Sequence, residues 1–250
     1  MPKENFKRVS FKEFAEAMQV FANDYEIVGQ PDLEMRTCWE EPNDAGTYSL
    51  TRIPAGMTEV EFLEKMQGIT HIAITCMDKD CAHRTWEKIE AEPGEIMMLT
   101  WGGGVVQKGR ERIRAMQAIA SYLGQLKWNG KLPDLSFIHA DDHDHVCGAV
   151  KVWLGQSLPE FLTELYGKEI TPQSAEEDAL MESLIRDGAS VWMAAFAGTG
   201  VEVLSHLLVT DRDNPQHSHL RRINLDSSES KMNVQMLIQL KELMLTLRSS

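Results

Sequence analysis

The 250-residue sequence predicts an α/β protein with a mostly parallel central sheet flanked by helices. Three compact apolar runs, 70–76, 94–100 and 135–139, are typical of buried strands. Helical segments separate these runs, and strands that alternate with helices at this spacing form parallel βαβ units with right-handed crossovers. We therefore expect one compact α/β domain over 70–250, preceded by an N-terminal helical extension over 1–69.

The first 69 residues contain two helix-capping patterns and one short strand. The segments 10–13 and 58–61 each place Ser or Thr three residues before Glu, which is the capping box that opens a helix. The second helix should end near Gly68, and a short strand is expected over 48–53. One face of the first helix is apolar and is formed by Phe11, Phe14, Ala15, Met18, Phe21 and Ala22.

The rest of the chain continues the alternation of helices with strands. A fourth strand is expected over 201–211. The last helix carries an apolar stripe, which is usually core or a dimer contact. The predicted helices are 83–89, 108–126, one that begins at Cys147, 171–197 and one that begins at Ser227 or Ser228.

Composition and charge exclude several kinds of partner. A net charge of −13 without a long basic stretch opposes binding to a phosphate backbone, so we expect no nucleic-acid partner. No apolar run approaches the ~20 residues that cross a bilayer, so no membrane partner is expected either. The N-terminal segment lacks the apolar core of a secretory signal, and four cysteines in such a chain do not indicate a disulfide framework. A cytoplasmic location follows, or an organelle stroma if a targeting peptide has been removed.

Thiols, imidazoles and carboxylates follow the predicted core strands. Ligands of open parallel sheets bind beyond the carboxyl ends of the strands. Cys76 and Asp78 come at the end of the first core strand, and His139 ends the third, before a loop that leads to Cys147. Cys76, one histidine and Cys147 would form a soft, tetrahedral Cys₂His zinc site, with Asp78 or a water as the fourth ligand.

The remaining histidines and the glycine run have simpler interpretations. His217 and His219 are expected in a surface loop. The glycines over 102–104 lack the Gly-Lys-Ser/Thr ending of a phosphate loop, which argues against nucleotide binding. A packing role is expected for His71, His83 and His206.

Several motifs together resemble the β-class carbonic anhydrases. The runs ITCMDKD, GEIMMLTWGGGVV, a long helix and SFIH…CGAV occur in that family's order over about residues 70–155. Cys76 and Asp78 match its first motif, Cys147 and Gly148 match its last, and His139 lies where its zinc histidine is found. The resemblance implies a zinc-dependent lyase that hydrates carbon dioxide to bicarbonate through a zinc-bound hydroxide, working as a homodimer or higher homo-oligomer.

The chain departs from the family pattern at the first motif and in the turn after the second strand. The arginine that pairs with the family's aspartate is Asp80 here, and Arg84, one helical turn further on, could replace it. An Arg-Asn-Ala-Gly-Asn turn has become Thr-Trp-Gly-Gly-Gly. Asp78 and Arg84 are therefore the expected catalytic residues, with Asp78 also available to the metal.

The third departure concerns the histidine ligand. Seven residues separate His139 from Cys147, where the family has two. Either His139 remains the ligand and the loop carries an acidic insertion over 140–146, or a histidine of the loop has replaced it. We prefer His139 because strand ends are rigid and inserted loops are not; His145 is the second choice and His143 the third.

Three alternative functions remain open. The same zinc fold could catalyse another small-molecule reaction, because the arginine and the turn have changed. It could also be a binding or scaffold protein without catalysis. A metal-free enzyme would use Cys147 as nucleophile and His139 or His145 as its base.

Overall fold

The structure is a computed structural model. Its described residues are 8–22, 48–50, 52–76, 85, 87–89, 92, 94–101, 110–131, 136–143, 160, 163–164, 167, 169, 175–209 and 219–223. Within them the helices are α1 (Phe11–Ala22), α2 (Glu59–Lys65), α3 (Arg110–Trp128) and α4 (Ala175–Phe196). The strands are β1 (Tyr48–Leu50), β2 (His71–Cys76), β3 (Ile96–Trp101), β4 (Ser136–His143), β5 (Glu202–Val209) and β6 (His219–Arg222).

The six strands form one sheet in the order β1-β3-β2-β4-β5-β6. Every pairing from β1 to β5 is parallel, and β6 joins β5 in the antiparallel direction. β1 and β6 are the edges of this described sheet. The α/β class predicted from the sequence is confirmed. None of the described helices combines the length and hydrophobicity needed to cross a bilayer.

The two faces of the sheet are buried by different connections. Parallel crossovers share one hand, so connections that run in opposite directions along a sheet cover opposite faces. The chain leaves β2 toward β3, then returns past β2 to β4 and continues to β5. Accordingly Ile89, between β2 and β3, packs with Ala73 and Met98. α3 and α4 contribute to a larger cluster with Ile72 and Ile74 on the other face of β2.

Both N-terminal helices begin at the predicted capping boxes. The Ser10 and Thr58 hydroxyls accept hydrogen bonds from the backbone N–H of Glu13 and Glu61, whose carboxylates accept in return. Both helices join the larger cluster that contains β2 and α3. The boundary between 1–69 and 70–250 stays a prediction.

An aromatic group joins α1 and α2 to α3. The Phe14 ring stacks on Tyr122 with 4.6 Å between ring centroids and meets Phe62 edge-on at 5.3 Å. The Tyr122 hydroxyl donates to Glu59 Oε1 at 3.1 Å, and burial raises the pKa of that phenol above its ordinary value. Phe14, Phe62 and Tyr122 all belong to the larger core cluster, so the group ties both N-terminal helices to α3.

Two expectations about strands are wrong in detail. The third core strand does not end at His139 but continues to His143, because β5 offers a paired residue for each of its eight positions. His219 lies in strand β6, not in a loop, because β5 leaves its other side open for pairing. The helices expected from Cys147 and from Ser227 or Ser228 lie outside the described residues.

Candidate functional site

Cys76 and His139 lie on the adjacent strands β2 and β4, Cys76 at the end of its strand and His139 in the middle of its own. Cys76 is the last residue of β2 and pairs with Trp101, the last residue of β3. His139 pairs with Ile74, two residues before Cys76. A strand spacing of ~4.8 Å and a rise of ~3.3 Å per residue place the two Cα atoms about 8 Å apart. Thiolate and imidazole are both ligands that zinc takes, and the backbone positions of these two residues are compatible with one shared ion.

The other predicted site residues lie outside the described part of the chain. They are Asp78, Arg84, His145 and Cys147. The described residues on their own contain no group of three or more His, Cys, Asp or Glu side chains placed to hold a metal. The zinc ligand set therefore stays a prediction. For two of its members, Cys76 and His139, the structure gives the backbone position.

Ser205 of β5 is a polar residue near this pair that the sequence patterns did not single out. It pairs with His139 across the β4–β5 ladder. The residue is 1% exposed, and within the described part of the chain its Oγ has no hydrogen-bond partner. The only available signal is a hydroxyl inside the run VEVLSHLLV, which is otherwise apolar apart from Glu202 and His206.

His206, the next residue of β5, has an imidazole that resists protonation. It pairs with Ala140 on one side and Arg222 on the other. Its Nδ1 is buried and has no hydrogen-bond partner within the described residues. Burial lowers the pKa of His206, and the positive charge of Arg222 lowers it further.

We expect His206 to make the folded state less stable in acid. The unfolded imidazole takes up a proton near its ordinary pKa of 6.5, whereas the folded one takes it up only at lower pH. The contribution of neutral His206 to the free energy of unfolding is therefore fully present above about pH 6.5. It is lost as the pH falls from there toward the lower pKa of the folded state. In urea titrations at about pH 8 and about pH 5.5, His206→Gln should lose less unfolding free energy between the two pH values than the wild type.

Val60→Ala, at an exposed side chain that cannot titrate, provides the control for that comparison and should keep the wild-type difference between the two pH values. An unchanged difference in His206→Gln would contradict the assignment to His206.

Comparison with known proteins finds a distant resemblance. No protein-family model matches the chain. No curated protein matches it either. One similar solved structure is a β-carbonic anhydrase, CafD, of the filamentous fungus Aspergillus fumigatus, at 9% identity, with 62% of this chain and 90% of that chain covered and a TM-score of 0.37. Another is β-carbonic anhydrase isoform I of the protozoan Trichomonas vaginalis, at 16% identity, with 67% and 98% covered and a TM-score of 0.33. These values describe a distant likeness in fold alone.

Proposed function

We propose that this chain is a zinc-dependent lyase of the carbonic anhydrase type that hydrates carbon dioxide to bicarbonate. Cys76, His139 and Cys147 are its proposed metal ligands, and Asp78 is either the fourth ligand or the group that orients the reacting water. A homodimer or higher homo-oligomer, located in the cytoplasm or an organelle stroma, belongs to the same proposal.

The observation that carries the proposal is the position of Cys76 and His139 in the sheet. The chain runs from β2 to β3 in one direction and from β4 to β5 in the other, so its connections diverge between β2 and β4. Ligands of open α/β sheets bind beyond the carboxyl ends of the strands at such a switch point. Cys76 and His139 lie on the two strands that border it.

The donor set suits zinc better than harder cations. Two thiolates and an imidazole are soft or borderline ligands, and four-coordinate zinc accepts this combination with one position left over. Zinc held by these residues would supply a nucleophile at neutral pH, since it lowers the pKa of water to about 7. Cys147 begins a predicted helix, and a helix N-terminus stabilises its thiolate.

Asp78 and Arg84 are the proposed groups that act beside the metal. Asp80 stands where the family has arginine, so the first motif carries an acidic residue in place of the basic partner of Asp78. We propose that the guanidinium of Arg84 takes the place of that partner and pairs with an ionised Asp78. An ionised Asp78 can accept a hydrogen bond from the reacting water and fix its orientation.

Metal analysis of the purified full chain tests the ligand set. We expect about one zinc ion per chain, retained through dialysis against a weak chelator. Cys76→Ser and Cys147→Ser should each weaken zinc binding by more than the ~10–100-fold that loss of an outer hydrogen-bond partner causes. Cys38→Ser, which removes a cysteine outside the proposed set, should leave zinc content unchanged.

Stopped-flow hydration of carbon dioxide tests the reaction. The zinc-loaded wild type should be active, and both ligand variants should lose activity together with zinc. A fully loaded protein without activity at any pH would overturn the proposed reaction. Active, metal-free protein that is inactivated by alkylation of Cys147 would overturn the metal site as well.

A second candidate function is favoured by one observation, the replacement of the family arginine by Asp80. This change alters the charge two residues after Asp78 in the sequence. The same zinc site could therefore catalyse the reaction of another small electrophile, or bind a ligand without catalysis. Zinc retention without carbon dioxide hydration is the result that selects this candidate.

A further inference from the structure

We propose that two copies of this chain associate through an uncharged, exposed surface at the C-terminal ends of α3 and α4. This surface, the α4 patch, consists of Trp128, Ser190, Met193, Ala194 and Ala197. The inference rests on the proposed function for its homo-oligomer, to which it assigns a surface, and it does not depend on the metal.

The C-terminal half of α4 is buried on one side and exposed on the other. Trp192 and Phe196 are 0% and 2% exposed and belong to the larger core cluster. The four patch residues between 190 and 197 are exposed, and Met193 is 41% exposed. Because residues three and four apart share one side of a helix, Ser190, Met193 and the alanine beside it form one continuous surface.

Trp128 lies at the same end of this helix pair. A Cβ atom on Gly124 would meet the Thr199 side chain at 2.6 Å, so α3 approaches the chain after α4 as closely as glycine allows. The Lys127 Nζ donates to the Gly200 carbonyl at 2.6 Å and holds the same two segments together. Trp128 follows Gly124 by one helical turn, on the same side of α3.

The patch has the composition of an interface core. Trp128 is 62% exposed, and it and Met193 are two of the three large hydrophobic side chains that are exposed in the described part of the chain. The third, Val60, lies apart from them in sequence on α2. Aromatic residues and methionine are enriched at the centres of protein interfaces, and charged residues are depleted there.

The absence of charge argues for a second copy as the occupant. Residues 188–201 contain no charged side chain, whereas 25% of the whole chain is charged. Two copies that each carry a net charge of −13 repel each other, and the repulsion is weakest where both surfaces are uncharged. A strongly charged partner would find no opposite charge on these residues. About a twofold axis the patch would meet its own copy, which matches it in both charge and hydrophobicity.

Sedimentation equilibrium of the full chain tests this surface. We expect the wild type to be a dimer at ~100 μM that dissociates on dilution, because a contact of this size belongs to the weak, reversible class. Met193→Asp should raise the dimer dissociation constant by at least ~100-fold, since a carboxylate would lose water in the contact without gaining a partner. Val60→Asp adds the same charge at the exposed residue of α2 and should dimerise as the wild type does.

A mixture of two variants separates direct contact from an indirect effect on the fold. Met193→Asp and Met193→Lys should each be monomeric alone. Their equimolar mixture should recover the dimer, because opposite charges then face each other across the twofold axis. A mixture that stays monomeric would contradict the position of Met193 in the contact.

The outcomes separate this inference from the proposed function. A wild type that stays monomeric at ~100 μM overturns the inference, while zinc content and carbon dioxide hydration still decide the metal site and the reaction. A dimeric wild type together with an equally dimeric Met193→Asp overturns the α4 patch and leaves the homo-oligomer standing. A zinc-free wild type that dimerises through the patch supports the inference and overturns the proposed reaction.

Discussion

Replacement of His139 by alanine is expected to abolish zinc retention, whereas the same replacement of His145 leaves zinc bound. β4 is held at His139 from both sides, by Ile74 of β2 and Ser205 of β5. A ligand on such a doubly paired strand is held more precisely than one in a loop. His145 comes two residues after the last residue of β4. Zinc affinity in His139→Ala should fall by more than ~100-fold, beyond the loss of an outer-shell partner.

His143→Ala and circular dichroism complete this experiment. His143 is the last residue of β4, and its variant should retain zinc as His145→Ala does. All three variants should keep the wild-type far-ultraviolet spectrum. An unchanged spectrum would show that a variant without zinc is still folded. Zinc retained by His139→Ala and lost by His145→Ala would contradict the choice of His139 and assign the ligand to His145.

Phe14→Ala is expected to lower the free energy of unfolding by about 3–5 kcal/mol, the range for a buried phenylalanine in a packed core. Phe14 is 0% exposed and contacts the rings of Tyr122 and Phe62. Truncation leaves a cavity where α1, α2 and α3 meet. Urea unfolding followed by circular dichroism measures the loss. Val60→Ala, at a side chain 64% exposed on α2, should change the value by less than about 0.5 kcal/mol.

The same measurement tests the boundary predicted between residues 69 and 70. If α1 unfolds together with the sheet, Phe14→Ala lowers the midpoint of the main transition. An unchanged main transition with a new early one would show that the segment 1–69 unfolds separately.

Local patterns were sufficient to predict α1, α2 and strands β2, β3 and β5. The capping boxes at Ser10 and Thr58 act within three residues, and a buried strand needs only a short apolar run. The full length of β4 was not predictable in this way. Its residues 140–143 include two aspartates and a histidine, which are unfavourable in isolated strands, and pairing with β5 outweighs that preference. β6 was missed because only four residues, three of them charged or imidazole-bearing, form it.

The candidate site, like the fold, could be predicted from the sequence only in part. The strand-end rule is correct for Cys76, the last residue of β2, because it needs only the position where an apolar run stops. It is wrong for His139, which is the fourth of the eight residues of β4. Ser205 could not be predicted, because its relation to His139 depends on the β4–β5 register, and register is set by pairing between segments far apart in the chain.

The two edges of the sheet bear on how copies of this chain would assemble. β1 offers three residues, and β6 offers four whose Arg221 also donates to Glu182 of α4 at 3.1 Å. Short, charged edge strands are poor templates for a further strand, and they protect sheet proteins against edge-to-edge aggregation. Assembly by continuing the sheet from one copy into the next is therefore disfavoured at both described edges. The proposed homodimer is expected to form through contacts between helices or faces, which would leave the end of β2 at Cys76 and the neighbouring position of His139 in β4 to define a site in each copy.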